Sequence, residues 1–364
     1  MKIAFYAPLK SPHHPVPSGD RLMARLLFAA LERTGHQVDV VSELRTFIKE
    51  PLPEIYASLE DQANAERCRI SALWQHDGTP DLWFSYHPYY KAPDLIGPTL
   101  AQSIGVPYVT AEASHSSRRN TGAWQQSQAQ VLGAMEKAAV NICFTRRDHD
   151  GLVKASPTVR TAMLSPFLDS RTFLAIEPDP QPGRLMTVAM MRAGDKLDSY
   201  RMLAESLKML SDTPWTLCVI GDGPCRAEVE AAFADCPSQR IEWHGEKRPD
   251  EIATLLSKGS VYVWPGCGEA YGLAYLEAQA AGLPVVAQSI AGVPEVVANG
   301  RTGILTPAGD IEAYAGAIRH LLTSDDTRAS MSHSARQFVR DERSLSVAAS
   351  RLDAILKQSI GNRS

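Results

Sequence analysis

Long apolar runs are missing from this chain: nothing approaches the ~18 uninterrupted apolar residues that a membrane-spanning helix needs. Cysteine is sparse, with Cys68, Cys143, Cys218, Cys225, Cys236 and Cys267 the six in 364 residues and none in a C-x-x-C pair. Those spacings fit neither a zinc site nor a small disulfide framework, so reduced structural thiols are expected. Excess positive charge is also lacking, because 37 Lys and Arg stand against 41 Asp and Glu, a net charge of −4. A nucleic-acid protein working by bulk positive charge is excluded. No short repeat or low-complexity tract occurs, and the 24 glycines and 24 prolines are dispersed, which excludes a collagen-like chain. Residues Met1 to Pro8 carry one cation and a short apolar run without a small-residue cleavage site. A buried first strand fits them better than a secretory leader. These features predict a cytosolic protein that can still touch the inner face of a membrane.

What is present is an ordinary globular composition, 44% hydrophobic and 21% charged, in a chain long enough for two domains. Short apolar runs alternate with helical periodicity, the signature of βαβ units around a parallel sheet. Strands are expected at 3–7, 38–42, 82–86, 106–110, 140–145 and 161–164. The first connecting helix, 19–34, places Leu22, Leu26, Leu27, Ala30 and Leu31 at helical spacing and ends at Gly35. A second helix is expected at 54–75. Pro166, Pro178, Pro180 and Pro182 then crowd into a segment of little periodicity, which marks 166–183 as an interdomain linker. Beyond it the alternation restarts, with strands at 184–189, 216–220, 240–243, 260–264 and 284–287. Helices are expected at 198–211, 224–235, 249–257, 271–281, 310–323, 326–340 and 343–358. The expected fold class is α/β, with two Rossmann-like halves: 1–165 and 184–342.

The chemistry concentrates at 264–303. A strand ends at Trp264, and a Pro/Gly loop leads into a helix expected from Tyr271. Ligands of open α/β sheets bind outside the carboxyl ends of strands, and exposed N–H groups at a helix start favour anions, phosphate above all. Glu269 stands in the loop and Glu277 eight positions on. Carboxylates accept hydrogen bonds from hydroxyls, so one ligand with hydroxyls on both sides of its phosphates can use both. A nucleotide-sugar has that shape. As a glycosidase acid/base pair the two would need roughly 5–9.5 Å of separation. Eight residues of continuous helix would instead put them ~12 Å apart.

The ordered set Glu269-x7-Glu277, Ala281-Gly282-Leu283-Pro284-Val285-Val286-Ala287, Gly292-Val293-Pro294-Glu295 and Asn299-Gly300-Arg301-Thr302-Gly303 resembles the donor-site signature of retaining GT-B glycosyltransferases of family 4. The likeness runs back through Gly221-Asp222-Gly223-Pro224 and covers most of 184–340. It implies a GT-B fold, two Rossmann-like domains facing across a cleft, with a C-terminal helix (343–364) crossing back to the first. It also implies that Glu269 holds the hydroxyls of the transferred sugar and Glu277 the ribose. The loop at Ala270, Tyr271, Gly272 and Leu273 would border the donor.

Arg192 and Lys196 follow the first strand of the second half. Departure of the leaving group puts negative charge on a diphosphate, which two fixed cations stabilise more than they stabilise the ground state. They can do so without a divalent ion, and no metal or cofactor is expected. The family places an Arg and a Lys here with four residues between; this chain has three. Gly221 and Gly223 form a strand-to-helix turn, with Pro224 suited to a first helical position. Trp243-His244-Gly245-Glu246-Lys247 resembles the loop beside the nucleotide base in the family, which adds Gly245 to the donor set. In the first half, Pro15-Val16-Pro17-Ser18-Gly19-Asp20 keeps one of the two glycines common in the family, Gly19, which would let backbone approach donor phosphate or acceptor. His13 and His14 are candidates for the acceptor cleft.

The family's His near the reacting sugar has no clean counterpart in Thr110-Ala111-Glu112-Ala113-Ser114-His115, where Ala113 falls in register. Glu112 and His115 are the candidates instead, and Ser114 as a helix N-cap is the competing structural account. The doublets Arg118-Arg119 and Arg146-Arg147 suit either solvent or an anionic surface. Asp148-His149-Asp150 imitates a metal-binding Asp-x-Asp but lies in an expected helix. The reading that results is a retaining, metal-independent glycosyltransferase taking a UDP- or GDP-sugar, with a sugar, glycolipid or small-molecule acceptor on the first half. It would serve glycan, polysaccharide or glycolipid biosynthesis. A nucleotide-sugar epimerase and a non-catalytic nucleotide-sugar sensor remain alternatives. A dehydrogenase is disfavoured, since neither half has a full G-x-G-x-x-G after its first strand.

Overall fold

The computed structural model describes residues 1–16, 18–116 and 120–361. The chain forms two compact units, Met1–Ser165 with Leu345–Ser364 (unit 1) and Pro166–Ser344 (unit 2).

Unit 1 begins β1 (Lys2–Tyr6), α1 (Gly19–Arg33), β2 (Gln37–Val40), α2 (Pro53–Asp77) and β3 (Leu82–Tyr86). It continues through α3 (Gly97–Ile104), β4 (Tyr108–Ala111), α4 (Gln125–Lys137), β5 (Val140–Cys143), α5 (Arg146–Ala155) and β6 (Thr161–Met163). All pairings are parallel, in the order β2-β1-β3-β4-β5-β6. A parallel strand covered on both faces cannot alternate polar and apolar residues. Leu82, Trp83, Phe84 and Tyr86 on β3 are accordingly all buried, with Phe84 stacked on Phe5 of β1 at 5.6 Å between ring centres.

Unit 2 contains α6 (Arg171–Leu174), β7 (Arg184–Val188), α7 (Asp195–Lys208), β8 (Thr216–Ile220), α8 (Arg226–Ala232) and β9 (Ile241–Trp243). Then come α9 (Pro249–Leu256), β10 (Val261–Val263), α10 (Leu273–Ala280), β11 (Val285–Gln288), β12 (Gly303–Thr306), α11 (Ile311–Thr323) and α12 (Asp325–Glu342). Its parallel sheet runs β12-β11-β10-β7-β8-β9. The last helix, α13 (Leu345–Gly361), belongs to unit 1, where it packs on α1 with Ala348, Ala349, Leu352 and Leu356 buried. His36, just before β2, fastens it through Nε2 to Asp353 Oδ1 at 3.0 Å.

Several sequence expectations need correction. Strand β12 was not foreseen, because Gly303-Ile304-Leu305-Thr306 is short and follows a loop rich in turn residues; it pairs with β11 along its whole length. Residues 166–183, expected as an interdomain linker, group with unit 2 and are tied to it by backbone contacts. The N–H of Asp179 and of Gln181 reach the carbonyls of Ser257 and Lys258 at 2.8 and 2.9 Å, and Arg336 grips the carbonyls of Leu174 and Ile176 at 2.7 and 2.9 Å. The prolines there remove periodicity without removing acceptors. α8 starts at Arg226, so Pro224 precedes it, and α10 starts at Leu273 rather than Tyr271, because Gly272 at φ +76° breaks helical geometry. Among the described residues, no helix is long and apolar enough to cross a membrane.

Candidate active site

In unit 2 the strand order reverses between β7 and β10, which lie side by side but are followed by chain leaving in opposite directions across the sheet. Such a switch point opens a crevice at the carboxyl ends of the strands. The loop after β7 and the start of α7 supply Arg192 and Lys196 to it, and the loop after β10 supplies Glu269. Lys196 Nζ lies 2.5 Å from Glu269 Oε2. The indole N–H of Trp264 points to the same oxygen at 3.4 Å, and the ammonium sits 5.4 Å from the centre of that Trp264 ring. Arg192 is exposed, and its guanidinium makes no ion pair among the described residues.

The backbone explains why Glu269 stands where it does. A Cβ on Gly272 would come within 2.8 Å of the Tyr275 ring and 2.9 Å of Glu269 Cγ, so the residue must lack one. As the N-cap of α10, Gly272 offers no side chain to the first-turn N–H groups, which leaves that turn suited to an anion. The loop is pinned from three sides. The Cys267 N–H donates to Ser199 Oγ at 2.9 Å, Gln288 Nε2 to the Pro265 carbonyl at 3.2 Å, and the Tyr275 hydroxyl to the Trp264 carbonyl at 3.1 Å. No sequence pattern marks Ser199, Gln288 or Tyr275 for this task, since each acts on backbone brought near only by the fold.

Ala270 is exposed, whereas Tyr271 and Leu273 are largely buried. Glu277 projects from α10, and burial pushes its carboxyl up to about 7. The phenol of Tyr262 is raised chiefly by its own burial, and the charges of Glu277 and Glu269 add to that rise. Half of the interval between them is loop, so the ~12 Å spacing of a continuous helix does not apply. Gly221 is a second position closed to other residues. Its Cβ would lie 1.9 Å from the carbonyl oxygen of Ala189, so the β8 loop packs directly on the backbone preceding Arg192. The Gly221 N–H donates to the Gly245 carbonyl at 2.8 Å, joining the β8 and β9 loops. Gly223 stacks on the same β7 exit at Met191.

Beside Gly245, His244 Nε2 meets Glu242 Oε2 at 3.3 Å, and with Cys218 they form the one cluster of metal-ligating types among the described residues. Arg184 already clamps both Glu242 oxygens, at 3.0 and 2.5 Å. A resident guanidinium supplies the positive charge that an ion would bring.

Unit 1 has its own switch point, between β1 and β3. Gly19 opens α1 there, with Ser18 Oγ accepting the N–H of Arg21 at 3.2 Å as a cap. Asp20 then meets His87 Nδ1 at 3.1 Å. Glu112, at the end of β4, is buried and accepts a hydrogen bond from the Tyr86 hydroxyl at 2.8 Å. Burial, only partly offset by His87 and Tyr86, pushes the Glu112 carboxyl up to about 7. Burial disfavours the charged form of His87, but Glu112 and Asp20 together outweigh it and raise the imidazole. Both His87 and Glu112 hold φ of +57°, a conformation that costs about 1 kcal/mol or more in a residue with a side chain. The His87–Asp20 pair escaped the sequence analysis, because 67 residues separate its members and His87 sits in no motif.

The remaining unit 1 candidates disperse. His115 is half-buried, with burial lowering its imidazole. Ser114 caps no helix among the described residues, where α4 begins at Gln125. His13 pairs with Glu43 at 2.9 Å, and His14 Nδ1 accepts the Val16 N–H in a local turn. Arg146 and Arg147 lie exposed at the start of α5, and Asp148 engages the capping Thr145 hydroxyl at 2.6 Å. Arg118, Arg119 and Pro17 lie outside the described residues.

Two parallel α/β units of Rossmann order in one chain define the GT-B class. Within it, residues 182–324 match the family model described as glycosyl transferases group 1, and this part of the chain belongs to that family. The sulfoquinovosyl transferase SQD2 of Arabidopsis thaliana is 35% identical over 124 residues, 33% of this chain and 24% of that protein. A D-inositol 3-phosphate glycosyltransferase of Corynebacterium diphtheriae is 31% identical over 275 residues, 67% of this chain and 64% of that protein. The chain thus spans about a quarter of the first relative's length and just under two thirds of the second's. The structure of Anabaena HepE in complex with UDP superposes with a TM-score of 0.72, covering 98% of this chain and 100% of that one at 14% identity, a likeness of fold.

Proposed function

We propose that the chain is a retaining glycosyltransferase that moves a sugar from a UDP- or GDP-sugar to an acceptor hydroxyl, in the synthesis of a glycan, polysaccharide or glycolipid. Unit 2 takes the donor and unit 1 the acceptor. The observation that carries this reading is the Lys196–Glu269 pair at the unit 2 switch point, 2.5 Å apart, beside the uncapped start of α10 and the exposed Arg192.

A diphosphate entering that crevice meets two cations and a helix start, and Lys196 exchanges its carboxylate partner for phosphate oxygens. Glu269 is then released to accept hydrogen bonds from the hydroxyls of the sugar. As the glycosidic bond lengthens, charge accumulates on the diphosphate, where Arg192 and Lys196 stabilise it more than they did the ground state. Glu277, lying deeper on α10, accepts from the ribose. Arg192 and Lys196 meet the charge of the leaving group, so a chelator is expected to leave turnover unchanged. The names of the relatives, both glycosyl-transferring proteins, and the UDP held by HepE support the reading and place UDP-sugars first for testing.

The test is calorimetric titration with UDP- and GDP-sugars, followed by NMR assignment of the anomeric configuration of the transferred or hydrolysed sugar. Micromolar binding of at least one donor and retention of configuration are expected. Inversion would overturn the retaining assignment, and absence of heat with every donor would overturn the donor site.

A further inference from the structure

We infer that unit 1 binds a neutral saccharide acceptor along a track running from the Asp20–His87–Glu112 cluster, over a row of aromatic rings, into a groove between the start of α2 and α4. This deepens the proposed function and rests on unit 1 being the acceptor half.

The row is continuous. The His87 and Tyr89 rings stack at 5.0 Å, Tyr89 meets Tyr90 edge-on at 5.5 Å, and Tyr90 meets Trp124 edge-on at 5.0 Å. All four residues are half-buried, so the row is neither core nor fully solvated. Lys91 spreads its ammonium across Tyr90 and Trp124 at 6.0 and 5.9 Å, holding the far end together. Trp124 is flanked in sequence by Ala123 and Gln125, which line a groove of about 840 Å³. Tyr56, on the opposite wall, ties the two sides by donating its hydroxyl to the Ala123 carbonyl at 3.2 Å.

That volume lies within the range of small-molecule sites and exceeds the needs of one hexose ring. Its lining decides the chemistry. Gln125, Gln126 and Gln130 bring amides that both donate and accept, interleaved with Ala123, Ala129 and the prolines 51 and 53. A pyranose matches this alternation, because its C–H faces pack on aromatic and apolar surface while its hydroxyl edge pairs with amides. No cation lines the groove among the described residues, and its one carboxylate, Glu60, is paired with Arg67 at 3.0 Å. A phosphorylated or otherwise anionic acceptor would meet no cation on the groove's lining, and beside it only Lys91 on the aromatic row and Arg67, which Glu60 already neutralises. The buried polar cluster at the other end of the row offers carboxylate and imidazole to a hydroxyl, which sets the reacting end of the acceptor.

Saturation-transfer NMR on the full chain tests this, with maltotriose, cellotriose, mannotriose, chitotriose and octyl glucoside as probes. Saturation of pyranose protons by at least one trisaccharide is expected, with loss of at least tenfold in affinity for Trp124→Ala and for the Gln126→Ala/Gln130→Ala pair, and recovery in Trp124→Phe. Lack of signal from all four trisaccharides overturns the inference, as does a signal that survives both variants or one confined to the octyl chain. A UDP-sugar titration of the same samples separates the two levels. Donor binding without saccharide binding sinks the acceptor track alone, whereas absence of donor binding sinks the proposed function. Trp124→Ala should keep the donor-induced rise in melting temperature, which shows that the variant is folded.

Discussion

Lys196 and Glu269, 73 residues apart in sequence, meet at 2.5 Å on the two loops that flank the reversal of strand order in unit 2. The contact is half-buried, with side-chain exposures of 33% and 17%, so each charge is partly stripped of water and depends on the other. Under the proposed function the donor opens this ion pair, which makes it a site device more than a stability device.

Lys196→Met is therefore expected to lower turnover by about 10²–10³-fold, the usual cost of removing one preorganised group facing developing charge. Glu269→Gln should do likewise, and both should melt within a few degrees of wild type. The check is kcat with a fixed donor, beside a thermal melt. A variant that loses stability but keeps turnover would reverse the interpretation.

Gly221→Ala should destabilise unit 2. Its φ of +141° and a Cβ placed 1.9 Å from the Ala189 carbonyl oxygen leave no small adjustment that relieves the clash, because both partners are backbone. The expected loss is about 2–4 kcal/mol. Denaturant unfolding measures it, and a midpoint equal to wild type would contradict the packing of the β8 loop on the β7 exit.

Much of this was legible in the sequence, and the reasons differ by element. β3 and β8 were readable to the residue, because a run such as Leu82–Tyr86 bounded by turn residues has one interpretation in a parallel sheet. Glu269, Glu277 and the glycines between were readable because they are close in sequence and the loop needs glycine. What escaped was whatever depends on packing at long range. His87 with Asp20, Ser199 beneath Cys267, and β12 beside β11 acquire their meaning only when distant segments meet. How 166–183 lies against unit 2 was not legible, because prolines silence periodicity whether a segment hangs free or lies on a surface.

Glu277 ties stability and binding to pH in opposite senses. Its carboxyl is raised from 4.5 to about 7 by burial, so the fold favours the protonated form. The penalty for charging it is absent below 4.5, accumulates between 4.5 and 7, and is complete above 7. Glu277→Gln never charges, and should melt about 2–4 °C above wild type at pH 8, with a smaller gap at pH 5. If the carboxylate holds ribose hydroxyls, wild-type donor affinity should rise as pH climbs through 7, and the variant should lose that rise. Calorimetry at pH 6 and 8 reads both effects, and a pH-independent donor affinity in wild type would remove Glu277 from the site.

The attachment of α13 to unit 1 should weaken on mild acidification. His36 donates through Nε2 to Asp353, and its Nδ1 lies 3.4 Å from the Met1 ammonium, where only an unprotonated nitrogen is tolerated. Burial and that ammonium lower the imidazole below its ordinary value, against the opposing pull of Asp353. A histidine lowered by folding favours the neutral form, so its contribution is intact above about 6.5 and is lost as pH falls below that value. Hydrogen exchange on α13 should therefore speed up between pH 7 and 5.5 beyond the intrinsic change in exchange rate. His36→Gln keeps a donor for Asp353 without the titration, and should flatten that response. Equal pH responses of α13 in wild type and variant would show that the helix is held by its apolar face, Ala348, Ala349, Leu352 and Leu356, irrespective of His36.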